Sequence, residues 1–227
     1  MPSDEGGLAP VRRVLGKTVL EVSPGEFAAF RGGYSALIVD IGTGDGKHAW
    51  ELAREQPDAL VVGLDANPDR LRERARKAAA ASARGGLPNL VYLWASVERF
   101  PALLTGISEL HILMPWGSLL EAVVRPDPAV LAALARACAP GARFLVTVNL
   151  HPWHPEVPEV VGLPEPGPAS LEGTLGEAYA AAGWTVEESG YLDPEAIAAL
   201  RTSWTSRLGS SRREFEVLGF SGRIGSP

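Results

Sequence analysis

The stretch VDIGTGDG, residues 39–46, decides the fold of this chain. It begins within an apolar run, ALIVDI (36–41), and leads directly into an amphipathic segment, KHAWELAREQ (47–56). Its three alternating glycines permit a tight turn between a buried strand and a helix, and they let the backbone approach a ligand closely. The stretch therefore predicts the strand–turn–helix unit of a nucleotide-binding α/β fold.

The rest of the chain continues this alternation of strand and helix. Apolar runs between amphipathic segments indicate a parallel sheet covered by helices on both faces. We predict a Rossmann-like α/β fold with a seven-stranded, mostly parallel sheet and about six helices. The predicted strands are 36–41, 59–65, 90–94, 109–114, 143–150, 184–188 and about 214–220.

Two segments extend the predicted single domain, which spans residues 1–227. A β-hairpin at 14–22 and a helix after the capping box Ser23–Glu26 form an N-terminal extension, residues 1–34. Residues 151–169 are a proline-rich insert, too long for a simple connection, which predicts either a functional loop or a mobile flap. Helices are predicted at 170–182 and 194–208, and a turn at Pro140-Gly141.

Composition excludes several classes of protein. At 46% hydrophobic and 21% charged residues, the 227-residue chain has the composition of a folded protein. Its single cysteine, Cys138, excludes an internal disulfide and a cysteine-based zinc site, and we predict no metal. No segment approaches the roughly 20 apolar residues of a membrane span, and no signal sequence opens the chain, so we expect a cytoplasmic protein.

Acidic residues around the glycine turn indicate which nucleotide binds. Asp65 ends the second strand, nineteen residues after Gly46, where an acid can accept both hydroxyls of an adenosine ribose. The loop is G-x-G-x-G and not the dinucleotide pattern G-x-G-x-x-G, and it contains two carboxylates that suit an amino group better than a pyrophosphate. S-adenosylmethionine (SAM) is favoured over NAD, and a purely structural glycine turn is the remaining alternative.

The fold is thus predicted to be that of a class I SAM-dependent methyltransferase. Residues after the third strand, where such folds contact adenine, extend the site, although Glu98 by itself could be a solvated acid. The predicted cofactor contacts from these three strand ends are Asp40, Gly42, Thr43, Gly44, Asp45, Gly46, Asp65, Ala66, Val97 and Glu98.

The fourth predicted strand ends at the sequence LMPWGS, residues 113–118, beside the position where the methyl group must emerge. Enzymes that methylate exocyclic amines commonly carry an Asn or Asp here, and this chain lacks that acceptor. Methylation at pyrimidine carbon 5 needs a thiolate, and Cys138 follows a helix far from this strand end. A ring nitrogen such as N1 of adenine remains, because its in-plane lone pair needs no general base. The predicted contacts are Leu113, Met114, Pro115, Trp116, Gly117 and Ser118.

Aromatic side chains would then carry the catalysis, because methylation makes the ring cationic and an aromatic face stabilises a cation. Of the six tryptophans, we predict Trp50, Trp94 and Trp184 in the core, and Trp153 is ambiguous. Trp116 follows a strand end. Trp204 lies in a polar stretch and is a functional candidate, the alternative being a packing anchor for the last helix.

These residues resemble one family, the 16S ribosomal RNA adenine-N1 methyltransferases that confer kanamycin and apramycin resistance. The matching stretches are 40–47 (DIGTGDGK), 85–90 (GGLPNL), 114–120 (MPWGSLL), 202–204 (TSW) and 207–208 (RL). The resemblance implies a decoding-site adenine in the 30S subunit as target, flipped out of its helix and stacked between Trp116 and Trp204. It also implies that Thr202 or Ser203 holds the reacting groups and that Thr202, Ser203 and Trp204 contact the cofactor.

The charge distribution bears on RNA binding. The net charge of −6 argues against RNA, but residues 151–200 carry nine acids and no Lys or Arg, so the rest of the chain is neutral to basic. A basic helical segment at 69–84 and the arginines after Trp204 are candidates for phosphate contact, the alternative being a solvated face. The predicted RNA contacts are Arg70, Arg74, Lys77, Arg84, Arg207, Arg212 and Arg213.

We predict a monomer that methylates 16S rRNA within the assembled 30S subunit. Two other functions compete with this prediction. The net acidity and the proline-rich insert, as a possible lid, would suit a methyltransferase for a small natural product. A protein that binds SAM without catalysis is also conceivable, but no sequence feature supports it.

Overall fold

The computed structural model describes residues 11–203 and 216–225. Within them, nine strands form one sheet in the order β2-β1-β5-β4-β3-β6-β7-β9-β8. The strands are β1 (Val11–Leu15), β2 (Thr18–Val22), β3 (Ala36–Ile41), β4 (Ala59–Asp65), β5 (Leu90–Trp94), β6 (Ile107–Leu113), β7 (Cys138–Asn149), β8 (Trp184–Tyr191) and β9 (Val217–Ile224).

Eight helices accompany these strands in the described residues. They are α1 (Pro24–Arg31), α2 (Lys47–Glu55), α3 (Pro68–Ala78), α4 (Ser118–Val124), α5 (Pro128–Ala137), α6 (Pro168–Glu172), α7 (Thr174–Ala181) and α8 (Pro194–Ala199). The predicted capping box is present, with the Ser23 hydroxyl accepting from the Glu26 N–H and the Glu26 carboxylate accepting from Ser23. None of the helices described is long and apolar enough to cross a bilayer.

The sheet separates two apolar layers, as the alternation of strands and helices predicted. Successive residues of β3 point to opposite faces, so Leu37 and Val39 join one cluster while Ile38 joins the other. α2 and α3 pack on the Ile38 side through side chains such as Leu52 and Leu71. α1, α5 and α7 cover the opposite face. Every residue of β4 is buried, which its continuous apolar run predicted.

The predicted seven-stranded, mostly parallel sheet is confirmed only in part, because nine strands form the sheet and their pairings are mixed. β3 to β7 form a parallel core, but the hairpin β1–β2 joins the same sheet, with Arg12 opposite Trp94 in an antiparallel pairing. β9 inserts antiparallel between β7 and β8. Half of the eight strand pairings are therefore antiparallel. The strand runs were visible in the sequence, but their order in space depends on packing between distant segments.

Several predicted boundaries also shift. The helix predicted at 194–208 already ends at Ala199, and Arg201 has a left-handed φ of 50°, which a helix cannot contain. The helix predicted at 170–182 is two short helices that meet at Gly173. The turn predicted at Pro140-Gly141 lies within the long strand β7.

The proline-rich insert packs against the body of the protein. Val160 is fully buried, and the Trp153 indole is buried and donates to the carbonyl of Leu163 at 3.1 Å. A mobile flap over the ligand site, one of the two predicted roles of the insert, has no support in this packing. Trp184 lies in the core as predicted, with its ring 4.9 Å from that of Phe144.

Candidate active site

A cavity of about 450 Å³ opens at the carboxyl ends of the parallel strands. This is the crevice in which ligands bind in open α/β sheets. The described residues predicted at the cofactor site line it, except for two glycines, Gly46 and Gly117. The lining residues that were predicted are Asp40, Gly42, Thr43, Gly44, Asp45, Asp65, Ala66, Val97, Glu98, Leu113, Met114, Pro115, Trp116, Ser118, Thr202 and Ser203. Trp204, Arg207, Arg212 and Arg213 lie outside the described residues.

The glycine turn forms because three of its residues have left-handed backbones. The φ angles of Gly42, Gly44 and Gly46 are 68°, 63° and 79°, a region that side chains with a Cβ rarely adopt. Gly46 faces away from the cavity, and a Cβ there would lie 2.4 Å from the ring of Tyr92. It therefore fits the start of α2 against β5, and it is not among the residues that line the cavity.

Asp65 joins the second strand end to the glycine turn. Its carboxylate accepts from the Gly44 N–H and the Asn67 N–H, each at 2.8 Å. Burial raises the pKa of Asp65 above its ordinary value, against the opposing effect of these two N–H groups and of Arg70. A carboxylate held in this way keeps lone pairs that can accept hydroxyl groups from the cavity.

Asp45 joins the glycine turn to the segment after α8. Its carboxylate lies 3.3 Å from the Arg74 guanidinium and accepts from the Ser203 hydroxyl and the Lys47 N–H. Burial would raise the pKa of Asp45, but these partners outweigh it and the pKa is lowered. Asp45 is therefore ionised at neutral pH and holds Ser203 at the cavity.

The two remaining acids of the lining also have partners. Asp40 is almost fully buried and accepts from the Thr43 hydroxyl. A hydrogen bond from the Ser118 hydroxyl is the main cause that lowers the pKa of Glu98. The acids that the sequence grouped by position are thus brought together, each held by a neighbouring donor.

The segment after β6 brings an aromatic side chain to the rim of the cavity. Met114 has a φ of 49°, unusual for a residue with a side chain, and its N–H is fixed by the Thr147 carbonyl at 2.9 Å. The next residues turn sharply, and Trp116 is 37% exposed, unusual for a large apolar side chain. Cys138 lies at the start of β7, with Ile107 opposite it, and burial raises the pKa of its thiol to about 12, which disfavours a thiolate there.

The lining includes residues that sequence reasoning missed or assigned elsewhere. His48, in the first turn of α2, lines the cavity, although a lone histidine in an amphipathic pattern gave no signal. Arg70, predicted to contact RNA, lies in the lining, and Arg74 is paired with Asp45. Outside this lining, Trp94, predicted to lie in the core, is half-buried and has the Arg12 guanidinium 4.7 Å from the centre of its ring.

The fold and this cavity define an α/β methyltransferase. Residues 12–222 match the family described as NpmA: 16S rRNA (adenine(1408)-N(1))-methyltransferase. A 16S rRNA (adenine(1408)-N(1))-methyltransferase of Streptoalloteichus tenebrarius is 52% identical over 214 residues, covering 94% of this chain and 99% of that protein. One of Escherichia coli is 29% identical over 212 residues, covering 90% and 95%.

Solved structures agree with these sequence relatives. The crystal structure of the 16S rRNA methyltransferase KamB superposes with a TM-score of 0.90 at 52% identity, covering 94% of this chain and 99% of that one. A tryptophan-to-alanine variant of the Catenulisporales acidiphilia enzyme, crystallised with its cosubstrate SAM, gives 0.86 at 33% identity, covering 96% and 98%. The chain belongs to the 16S rRNA (adenine(1408)-N(1))-methyltransferase family, and SAM is its cosubstrate.

The residues of the cavity fit SAM. Its volume lies within the roughly 300–1,000 Å³ typical of sites for ligands of this size. The glycine turn leaves open space over Gly44, where a Cβ would contact nothing within 4 Å, so a ligand can approach the backbone. Asp65 offers a carboxylate at the strand end where a ribose binds. When bound, SAM supplies an electrophilic methyl group on its sulfonium.

Proposed function

We propose that this protein methylates N1 of adenine 1408 in the 16S rRNA of the assembled 30S subunit and thereby confers aminoglycoside resistance. The observation that carries the proposal is the position of Trp116, a half-exposed aromatic residue at the rim of the cofactor cavity, in a member of this family. We infer that the protein acts as a monomer in the cytoplasm, where 30S subunits are found.

The cosubstrate contacts follow from the donors and acceptors of the lining. We assign the ribose hydroxyls to Asp65, the adenine to Val97 and Glu98, and the methionine moiety to the glycine turn with Asp40. Pro115, Gly117 and Ser118 shape the end of the cavity from which the methyl group emerges. Thr202 and Ser203 border the same cavity and hold the reacting groups in line.

The chemistry needs no general base. N1 of adenine has a free in-plane lone pair, so the enzyme acts mainly by proximity and orientation. Three of the four acids among the described lining residues are held by neighbouring groups, Asp40 by Thr43, Asp45 by Arg74 and Glu98 by Ser118, and the fourth, Asp65, is assigned to the ribose. A lining whose carboxylates are committed to holding the site suits a methyl transfer in which no proton is abstracted.

Stacking orients the base and stabilises the product. We propose that the flipped adenine lies between Trp116 and Trp204, of which Trp204 lies outside the described residues. The methylated ring is cationic, and two indole faces stabilise it by roughly 0.5–2 kcal/mol each. Flipping exposes the Watson–Crick edge that contains N1.

The RNA face lies on the side of α3. Lys77 and Arg84 are exposed there, although the Lys77 ammonium also pairs with Glu73 at 2.7 Å. We propose that these two residues contact phosphates together with Arg207, Arg212 and Arg213. Arg70 and Arg74 add positive potential at the cavity mouth, where they also act on Asp65 and Asp45.

Methyl transfer from tritiated SAM to purified 30S subunits tests the proposal directly. We expect incorporation into 16S rRNA, a new primer-extension stop at adenine 1408, and raised kanamycin and apramycin tolerance in a host that expresses the protein. Incorporation without a stop at that adenine would contradict the assigned target. Activity on a small acceptor with none on 30S subunits would instead support the natural-product alternative. That alternative treated the proline-rich insert as a lid, whereas the insert packs through the buried Trp153 and Val160.

A further inference from the structure

A buried chain of polar side chains runs from the cofactor cavity to the protein surface, and the proposed chemistry does not use it. His48 lines the cavity and is 9% exposed, while His111, on β6, is 5% exposed. Their rings lie with centroids 5.0 Å apart. Two buried imidazoles in contact are costly to desolvate unless every nitrogen has a partner.

Each ring nitrogen of the pair does have a partner. His48 Nδ1 lies 2.6 Å from the Leu200 carbonyl oxygen, and His48 Nε2 lies 2.7 Å from His111 Nδ1. His111 Nε2 lies 2.8 Å from one oxygen of Glu109, and the other oxygen of Glu109 lies 2.5 Å from the exposed Arg143. The chain therefore begins at the backbone of Leu200 and ends at the surface.

The acceptors at the two ends fix the direction of every hydrogen bond. A carbonyl only accepts, so His48 Nδ1 donates to Leu200, and the Nε2 atom of a neutral His48 accepts from His111. Burial lowers the pKa of His48, more than Asp40 and Glu55 raise it, which favours that neutral ring. Glu109 accepts from His111 Nε2, and this hydrogen bond is the main cause that lowers the pKa of Glu109. His111 thus donates from both ring nitrogens, to His48 and to Glu109.

The Leu200 carbonyl is where the segment bearing Thr202 and Ser203 begins. Leu200 caps α8, and the next residue, Arg201, has the left-handed φ of 50° that turns the chain toward the cavity. The Arg201 guanidinium pairs with Glu55 of α2, and Ser203 donates to Asp45. Among the described residues the segment is therefore tied to the glycine turn and α2 at Leu200, Arg201 and Ser203, and the tie at Leu200 comes from the buried side chain of His48.

We propose that His48 is a positioning residue for methyl transfer: held by His111 and Glu109, it fixes the Leu200 carbonyl and so places Thr202 and Ser203 over the reacting groups. This inference rests on the acceptor site proposed above. A misplacement of about 1 Å at such a site costs on the order of a hundredfold in rate, so one hydrogen bond to the backbone can govern kcat.

Two amide substitutions at one position separate this role from simple packing. His48→Asn keeps a donor near the position of Nδ1 and can still hold Leu200, whereas His48→Gln keeps only a polar atom near Nε2, facing His111. We expect His48→Gln to lower kcat for 30S methylation by roughly ten- to hundredfold with little change in the Kd for SAM. His48→Asn is expected to retain most of kcat. SAM binding is measured by calorimetry, and thermal unfolding checks that both variants fold.

The outcomes are distinct. Equal kcat for the two variants, whether retained or lost, overturns the proposal, and so does a parallel loss of SAM affinity, which would make His48 a direct cofactor contact. If His48→Gln does not fold, Glu109→Gln carries the test from the other end of the chain: a lower kcat with unchanged SAM binding supports the proposal, and an unchanged kcat overturns it. Failure of the wild-type enzyme to methylate 30S subunits would contradict the proposed function instead.

Discussion

The Tyr92 hydroxyl donates a hydrogen bond of 2.7 Å to the Gly46 carbonyl, and the Tyr92 ring fills the space where a side chain at Gly46 would lie. This pair fixes the first turn of α2 against β5, beneath the cofactor cavity. Burial raises the pKa of Tyr92 far above its ordinary value, so the phenol stays protonated and remains a donor. The third glycine of the turn thus serves the packing of the site.

Replacing Gly46 with alanine should destabilise the protein strongly. The substitution combines a left-handed backbone, about 1–2 kcal/mol, with a Cβ 2.4 Å from the Tyr92 ring, which adds about 1–3 kcal/mol of overpacking. Gly141→Ala is the matched control, because Gly141 has a similar φ of 78° but open space around its Cβ. Urea unfolding should show a loss for Gly46→Ala larger than for the control by at least about 1 kcal/mol. Equal losses of unfolding free energy in the two variants would show that the Tyr92 ring moves aside without an energetic cost.

The sequence predicted those features of the fold and the site that a local residue pattern determines. The strand runs, the glycine turn and the acids at strand ends follow from periodicity and from the geometry of parallel sheets, so Asp40, Asp65 and Glu98 were found. Pairings between distant segments were not predictable. The insertion of β9 between β7 and β8 depends on which edge strand packs best. His48 was missed because its partners, His111 and Leu200, are 63 and 152 residues away along the chain.

Removal of the Asp65 carboxylate should weaken cosubstrate binding. If Asp65 accepts the ribose hydroxyls, Asp65→Ala loses one or two charge-assisted hydrogen bonds of about 1.5–3 kcal/mol each, which raises the Kd for SAM by on the order of ten- to ten-thousandfold. Asp69→Ala is the control, since Asp69 is exposed at the start of α3 and pairs only with Arg72 in the described residues. Calorimetry with SAM gives both values. An unchanged Kd for Asp65→Ala would show that the ribose binds elsewhere in the cavity.

Truncation of Trp116 should separate catalysis from cosubstrate binding. Trp116→Ala removes one stacking face, and we expect kcat for 30S methylation to fall by on the order of ten- to a hundredfold, in line with about 1–3 kcal/mol of base–aromatic stacking. Trp116→Phe keeps an aromatic face and should restore part of the rate. Tyr191→Ala, at an exposed aromatic residue outside the cavity, is the control. If the alanine variant of Trp116 loses SAM affinity and not rate, the residue belongs to the cosubstrate site alone.

Glu109 should make stability depend on pH in the acid range. Its hydrogen bond from His111 and its pair with Arg143 lower the pKa of Glu109 below the ordinary 4.5. A carboxyl group whose pKa is lower in the folded state stabilises that state at pH values above its pKa in the unfolded chain. This contribution is lost as the pH falls through the pKa of the folded state. Because Arg143 is 66% exposed, Glu109→Gln should cost only up to about 1 kcal/mol at neutral pH, and the difference from wild type should vanish in acid. Urea unfolding of both proteins at several pH values measures the difference in unfolding free energy. A difference that does not change with pH would show that the charge of Glu109 is not the cause.

Charge reversal at Lys77 of α3 and at Arg84, shortly after that helix, should weaken binding to the 30S subunit without affecting SAM binding. Lys77 and Arg84 are exposed on the face of the sheet opposite α5, so Lys77→Glu and Arg84→Glu leave the cavity intact. Each phosphate contact that is lost should reduce the slope of log K against log salt by about 0.7–0.9. Arg136→Glu, an exposed arginine on α5, makes the same change in net charge on the far face and should leave the slope nearly unchanged. If all three variants weaken binding equally, only the total charge matters, and the docking face proposed for α3 is wrong.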